Sequence, residues 1–178
     1  MVPPEGVLLQ RRASRAESAG PGPTLAGSLH ARPQDASTNR AWALLFARLI
    51  LGLIFFMAGF WKVFSLGPVE HARRLFVEPY VHTFLPRWAL WATGTVVPFV
   101  ELIAGGLLLL GFRIREGLLA LGGVLVLVTF GHLLLEPLYE FHTHVIPRTA
   151  LLLFLLAMPA VEDRFSVDGW VRGRATSR

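Results

Sequence analysis

Residues 88–111, "WALWATGTVVPFVELIAGGLLLLG", decide the fold of this chain. The stretch is long enough to cross a bilayer, because a membrane-spanning helix needs about 20 predominantly apolar residues. It contains one carboxylate, Glu101, in the middle of a segment that otherwise suits hydrocarbon. The stretch therefore predicts a transmembrane helix with one charged position that needs a partner inside the membrane.

Three further apolar segments occupy residues 41–64, 117–136 and 145–161, and the last of these is only marginally long enough to span. The chain has 178 residues, of which 16% are charged, whereas soluble domains contain about 25%. Four nearly all-round apolar helices also argue against a soluble bundle, whose helices need a polar face. We expect an all-α fold, an integral membrane four-helix bundle that sits in the lipid bilayer.

The chain outside these segments divides into two tails. Residues 1–39 are rich in Pro, Gly, Ser and Arg and have no apolar period, which predicts a disordered cytoplasmic tail. Residues 40–170 form the membrane domain, and residues 171–178 are expected to be a flexible C-terminal tail.

The distribution of basic residues predicts the orientation. They lie near both ends of the membrane domain and in the short loop with Arg113 and Arg115, whereas none lies between His132 and Arg148. The positive-inside rule then places both termini in the cytoplasm, most simply at the plasma (inner) membrane of a prokaryote. The first loop runs against the rule, because it carries three arginines, Arg73, Arg74 and Arg87.

Net charge and cysteine content exclude several functions. The net charge of +5 is concentrated beside the apolar spans, which is typical of membrane flanks, and no nucleic-acid binding is expected. The chain has no cysteine, so disulfides, thiolate metal sites and thiol redox chemistry by its own residues are excluded.

Helical spacing places small and charged residues together on single faces. On the first helix, Arg48 and Lys62 share a face with Gly52 and Gly59. On the second helix, Glu101 shares a face with Gly94, Pro98 and Gly105.

Depth along the helix axis suggests which charges meet. At about 1.5 Å per residue, Arg48 lies about 12 Å inside the edge at Arg40. Glu101 lies about 20 Å from the opposite edge at Trp88, in a core about 30 Å thick. We therefore predict an intramembrane polar pair between Arg48 and Glu101. It serves either to fix helix register or as a proton relay or quinone-facing site.

A second polar group is predicted at the other interface, formed by Lys62, His132, Glu136 and Arg148. Glu101 and His132 are the candidates for catalytic proton transfer, since a neutral imidazole can donate to a quinone carbonyl and shuttle a proton. In the following loop, His142 and His144 could supply imidazole ligands to a divalent metal, or they could belong to a solvated loop. No metal is assigned.

Three stretches carry a family resemblance. They are residues 47–63, "ARLILGLIFFMAGFWKV", residues 98–115, "PFVELIAGGLLLLGFRIR", and residues 163–170, "DRFSVDGW". Over residues 40–170 the chain resembles the DoxX family of small four-helix membrane proteins.

The resemblance implies both residues and a function. It marks three polar positions, Arg48, Lys62 and Glu101, and three packing positions, Gly59, Gly105 and Gly106. The family includes a subunit of thiosulfate:quinone oxidoreductase and proteins that handle oxidative stress. The chain is thus expected to be a subunit or accessory of a quinone-linked membrane redox system, with quinone as the cofactor and a redox protein as partner.

Other functions stay open. If the protein takes part in catalysis, it is at most a membrane subunit of a quinone-dependent oxidoreductase, because no redox-cofactor motif occurs in it. The alternatives are a non-enzymatic membrane scaffold or assembly protein, or a small transporter, which a single set of four short helices favours less unless the protein forms a homo-oligomer.

Overall fold

The computed structural model describes residues 33–137, 141–159 and 162–176, and in these ranges every regular element is helical. One compact unit runs from Ser37 to Arg178. In chain order the α-helices are α1 (Pro33–Phe60), α2 (Pro68–Ala72), α3 (Glu78–Tyr80), α4 (Arg87–Leu110), α5 (Ile114–Leu135), α6 (Val145–Ala157) and α7 (Val167–Thr176). Two π-helical segments, Trp61–Leu66 and Arg73–Val77, follow α1 and α2.

Among the described residues, three stretches of helix are long and apolar enough to cross a membrane: Asp35–Leu66, Arg87–Leu110 and Ile114–Leu135. The fourth apolar helix, α6, has 13 residues and a length of about 20 Å, which is less than the hydrocarbon thickness of about 30 Å. The prediction of an all-α membrane protein is confirmed.

The helix ends differ from the expected domain boundaries. Helix α1 begins at Pro33, so residues 33–39 of the segment predicted to be disordered are helical. Proline suits the first turn of a helix, where its missing N–H leaves no bond unmade. The rest of that predicted tail, residues 1–32, lies outside the described residues. At the other end, α7 extends to Thr176, into the segment predicted to be a flexible tail.

Helices α1 and α4 approach each other at their glycines. A methyl group at Gly105 would lie 2.5 Å from the backbone nitrogen of Phe56, and one at Gly59 would lie 2.8 Å from the Pro98 carbonyl oxygen. Gly52 also lies at this contact, close to Leu109. Only glycine allows backbones this close, so these positions fix how α1 and α4 are aligned along their axes.

The core lies among four helices, and the outer surface is also apolar. Its buried side chains come from α1, α4, α5 and α6: Leu44, Ala47, Leu51, Phe55, Ala104, Leu108, Leu118, Leu121, Leu125, Leu152 and Leu155. Large apolar side chains also cover the outside, among them Phe46, Ile103 and Val126, which are each more than half exposed. A bundle that is apolar both in its core and on its outer surface is suited to being surrounded by lipid.

The first loop folds back onto the bundle. Its residues Val77 and Tyr80 form a second buried cluster with Leu90 of α4. Helix α2 packs so closely on α4 that a methyl group at Gly94 would lie 2.9 Å from the Ala72 side chain. This contact positions His71, the residue before Ala72, against the middle of the bundle.

Candidate functional site

Lys62 and Glu101 form a close ion pair between the first and second membrane spans. The Lys62 Nζ atom lies 2.5 Å from Glu101 Oε2. The Glu101 side chain is 5% exposed and that of Lys62 is 20% exposed. The Glu101 side chain is therefore buried, whereas the Lys62 side chain keeps a fifth of its surface exposed.

Local backbone geometry places Lys62 at this point. Helix α1 gives way at Trp61 to a π-helical segment that ends at Leu66, before Gly67 with a φ of +85°. The wider π-helical turn shifts the side chains after Phe60 relative to those of α1. Single π-helical turns within α-helices are frequent at functional sites.

His71 joins this pair from the first loop. Its Nδ1 lies 2.7 Å from the Gly94 carbonyl oxygen, and the side chain is almost completely buried. Because a carbonyl oxygen can only accept, Nδ1 carries the proton and donates it. The Gly94 carbonyl is available because Pro98, four residues later, has no N–H to donate to it.

The charges of the pair act on His71. Burial lowers the pKa of His71 below its ordinary value of 6.5, the Gly94 hydrogen bond raises it, and Lys62 lowers and Glu101 raises it in turn. The net direction is downward, so the imidazole is neutral at pH 7. A neutral imidazole beside a lysine and a carboxylate is a set of groups that can hold and pass a proton.

Arg48 lies at the opposite end of α1 in a different setting. It donates to the carbonyl oxygens of Leu108 at 2.7 Å and Phe165 at 3.0 Å, and its Nε lies 3.4 Å from Asp163 Oδ2. Its side chain is 2% exposed. Arg48 thus joins α1 to the end of α4 and to the segment before α7.

The structure replaces the expected Arg48–Glu101 pair by two separate pairs, Lys62–Glu101 and Arg48–Asp163. The expected pair was derived from depths measured from Arg40 and Trp88, each taken as one edge of the membrane. The glycine contacts instead align α1 and α4 so that Arg48 lies beside Leu108, about two turns beyond Glu101. The same alignment brings Lys62 to Glu101.

The other residues of the predicted interface cluster lie in two places. Arg148 lies beside Phe55, and His132 and Glu136 lie at the end of α5. The Arg148 guanidinium lies over the Phe55 ring, 5.7 Å from its centroid. His132 is partly buried in the last turn of α5, and Glu136, exposed, ends that helix by donating its backbone N–H to the His132 carbonyl. Among the predicted packing glycines, Gly106 is the one with room for a side chain, since a methyl group there would lie 3.6 Å from the Phe56 ring.

The two loop histidines, His142 and His144, are exposed in the turn before α6. Within residues 33–137, 141–159 and 162–176, no group of three or more His, Asp or Glu side chains is placed to hold a metal ion.

The C-terminal segment contributes contacts that the sequence did not reveal. The Asp168 carboxylate accepts the backbone N–H groups of Arg113 and Ile114, each at 3.0 Å, and so caps α5 from 54 or more residues away in sequence. Ser166 accepts the Gly169 N–H and donates to the Asp163 carbonyl. These bonds hold Asp163 in position for Arg48.

Sequence reasoning also missed His71 and Asp163. For Asp163, the available signal was a carboxylate directly after the last apolar segment, at the same end as Arg48. For His71, the signal was Pro98, which leaves one carbonyl of α4 without its helical partner and so predicts a donor from elsewhere.

A match to a known family covers both Lys62 and Glu101, together with His71. The family described as methylamine utilisation protein MauE matches residues 40–142, more than half of the chain. The chain belongs to the MauE family. It is a membrane protein, and no curated protein and no solved structure matches it.

Membership of the MauE family overturns the resemblance to the DoxX family, which was wrong. The residues behind that resemblance include Gly59, Gly105 and Lys62, which serve close helix packing and charge pairing here. Any small bundle of membrane helices needs such residues, so they do not distinguish one family from another.

Proposed function

We propose that this protein is a membrane accessory protein of a redox system for the utilisation of methylamine or a similar small amine. The observation that carries the proposal is the MauE family match over residues 40–142. The chain has no cysteine, and we assign the electron-carrying step to a partner protein. A quinone as the final acceptor of that partner's electrons is one version of the proposal.

We assign the accessory role to the site formed by Lys62, His71 and Glu101. All three residues lie inside the matched range, whereas Asp163, the partner of Arg48, lies outside it. The Glu101 side chain of the pair is buried, and the Lys62 side chain is more exposed. In this proposal Glu101 takes up and returns a proton during turnover of the partner, and Lys62 and His71 stabilise its two states.

A membrane scaffold is the second candidate, and the close approach of α1 and α4 at Gly59 favours it. On this reading Lys62 and Glu101 only set the register of two helices, as buried pairs do in some proteins.

We also propose that both termini are cytoplasmic, in a prokaryotic plasma membrane, because the basic residues Arg40, Arg113 and Arg164 lie close to the ends of the spans at that side.

A deletion strain of the source organism tests the function. We expect it to grow with ammonium and to fail with methylamine as sole nitrogen source, and the wild-type gene to restore growth. Membranes of the same strains, assayed for methylamine-dependent reduction of an added quinone, test the quinone version. Normal growth of the deletion strain on methylamine would contradict the proposal.

Complementation with variants separates the two candidates. Glu101→Gln should fail to restore growth, whereas Glu78→Gln, an exposed carboxylate in the first loop, should restore it. The double variant Lys62→Met/Glu101→Leu replaces the pair with apolar side chains of similar size. A scaffold should tolerate it, and a proton-handling site should not; immunoblots of the membrane fraction confirm equal amounts of protein.

A further inference from the structure

A continuous hollow runs along helices α5 and α6. At one end it widens into a cleft of about 620 Å³ that includes Arg113 and Arg115. From there a groove of about 630 Å³ continues between the two helices past Gly123. The cleft and the groove share three lining residues, Leu118, Leu119 and Leu156. The hollow therefore has one charged end and a long apolar remainder.

The acidic groups of the cleft already have partners. Asp163 lies against Arg48, Asp168 accepts two backbone N–H groups of the α5 N-terminus, and Glu116 lies 3.6 Å from Arg113. Arg115 is exposed, and among the described residues no carboxylate lies within ion-pair distance of it. The charge that the cleft offers to a ligand is thus a guanidinium group.

The backbone at Arg113 supports a role for its side chain. Arg113 has a φ of +48°, in the left-handed region where glycine or asparagine costs less. An arginine at such a position carries strain that a smaller residue would avoid. Its side chain lines the cleft together with Arg115, which follows two residues later in the chain.

The walls of the groove suit a hydrocarbon chain. Gly123 has no atom within 4 Å of the position that a side chain would take, and Val126 and Phe130 stand exposed along the same helix. The groove runs along α5, one of the helices that are long and apolar enough to cross a membrane. A flexible acyl chain fills such a channel between two helices, and a phosphate group matches the planar fork of arginine.

We propose that this hollow binds one phospholipid molecule. Its phosphate lies on Arg115 and Arg113, and one acyl chain lies in the groove beside Gly123. An end that offers a guanidinium group, followed by an apolar length, is the complement of a phospholipid, and basic groups between membrane helices bind lipid headgroups in this way. The site is separate from Lys62, His71 and Glu101, and it does not depend on the proposed function.

Native mass spectrometry of the detergent-purified full chain tests the proposal. Phosphatidylglycerol is added back at increasing concentration, with diacylglycerol of the same acyl chains as the phosphate-free comparison. We expect one phosphatidylglycerol per chain and at least tenfold weaker binding of diacylglycerol. Equal binding of both lipids would overturn the proposal, as would a lipid-free dimer that Gly123→Leu dissociates.

Two variants test the two halves of the site. Arg115→Gln should weaken phosphatidylglycerol binding about tenfold, and Gly123→Leu, which fills open space and so should fold, should weaken it as much. The matched controls are Arg40→Gln, at an arginine paired with Glu162 and outside the cleft lining, and Ile103→Phe on the exposed face of α4. Both controls should bind within twofold of wild type. Unchanged binding by either test variant would overturn the proposal.

Discussion

Within the described residues of the bundle, the Arg48–Asp163 and Lys62–Glu101 ion pairs differ in how firmly the protein holds the cation. At one end, Arg48 donates to three carbonyl oxygens and lies against Asp163, with 2% of its side chain exposed. At the other, Lys62 makes a single close contact to Glu101 and keeps 20% of its side chain exposed.

This difference distinguishes a fixed structural contact, the Arg48–Asp163 pair, from a pair that can rearrange, Lys62–Glu101. The arginine cannot lose its proton, and its fork is occupied by fixed backbone groups. It therefore has one state, in which it holds the C-terminal segment to the bundle. A lysine has a single ammonium group, loses its proton more readily when buried, and can move on its flexible stem. We therefore expect the Lys62–Glu101 end to change its position more readily than the Arg48–Asp163 end.

The largest expected effect comes from breaking the Arg48–Asp163 contact, which fastens the C-terminal segment to the bundle. Arg48→Met leaves the Asp163 carboxylate buried without its cation and removes the bonds to Leu108 and Phe165. We expect a loss of about 3–5 kcal/mol in unfolding free energy, measured by denaturant titration in mixed micelles. Removing both charges, in Arg48→Met/Asp163→Leu, should recover part of it. A loss below about 1 kcal/mol for the single variant would contradict the fastening role.

A smaller effect is expected from separating α1 and α4 near the other pair. Gly59→Ala places a methyl group 2.8 Å from the Pro98 carbonyl oxygen, so the helices must move apart. We expect a loss of about 1–3 kcal/mol in the same titration, because close-packed contacts resist added volume. The matched control is Gly106→Ala, whose methyl group would meet only the Phe56 ring at 3.6 Å. Equal losses for the two variants would show that Gly59 does not control the spacing.

The sequence predicts the spans well and the pairs poorly, for one physical reason. An apolar segment can be recognised in the sequence by its length. The second span, predicted at residues 88–111, is observed as Arg87–Leu110. The partner of Glu101 depends instead on the axial offset between α1 and α4. That offset is set by tertiary contacts at Gly59 and Gly105 and not by distance from an assumed membrane edge.

The parts of the site that come from outside the spans were the least predictable. His71 reaches the Gly94 carbonyl through a loop, and Asp163 reaches Arg48 from 115 residues away in the chain. No helical period links such residues, because their proximity results from how the loop and the C-terminal segment fold back. The one local trace was the proline in α4, which frees the carbonyl that His71 uses.

The pH dependence of stability should arise at the Lys62–Glu101 end, through His71. Burial lowers the pKa of His71 below 6.5, so the unfolded chain takes up a proton before the folded one does. The contribution of His71 to stability is thus fully present at about pH 7.5, one unit above its unfolded pKa, and is lost as the pH falls through 6.5, by at most about 1.4 kcal/mol per pH unit. We expect wild type to lose stability from about pH 7.5 to about pH 5.5.

His71→Asn is the variant that isolates this effect, because its side-chain amide can still donate to the Gly94 carbonyl. It should lose less stability over the same pH range than wild type does. Lys62 and Glu101 face His71, so the comparison is repeated in the Lys62→Met/Glu101→Leu background to remove their charges. Parallel pH curves for wild type and His71→Asn would place the titrating group elsewhere.

The smallest effect is expected at an exposed ion network, and it shows what burial adds to the two pairs. The guanidinium groups of Arg73 and Arg74 lower the pKa of Glu70 to about 2 from 4.5. Since the folded pKa is depressed, the contribution of Glu70 is present above about pH 4.5 and is lost as the pH falls towards 2. Glu70 is solvent-accessible, so salt should screen its interaction, whereas a buried pair is screened much less.

Raising the ionic strength from about 0.05 to about 0.5 M should therefore erase the small difference in unfolding midpoint between wild type and Glu70→Gln. The same change should leave the loss in Arg48→Met almost unaltered, and equal salt sensitivity of the two variants would mean that Arg48 is held no more firmly than a surface charge.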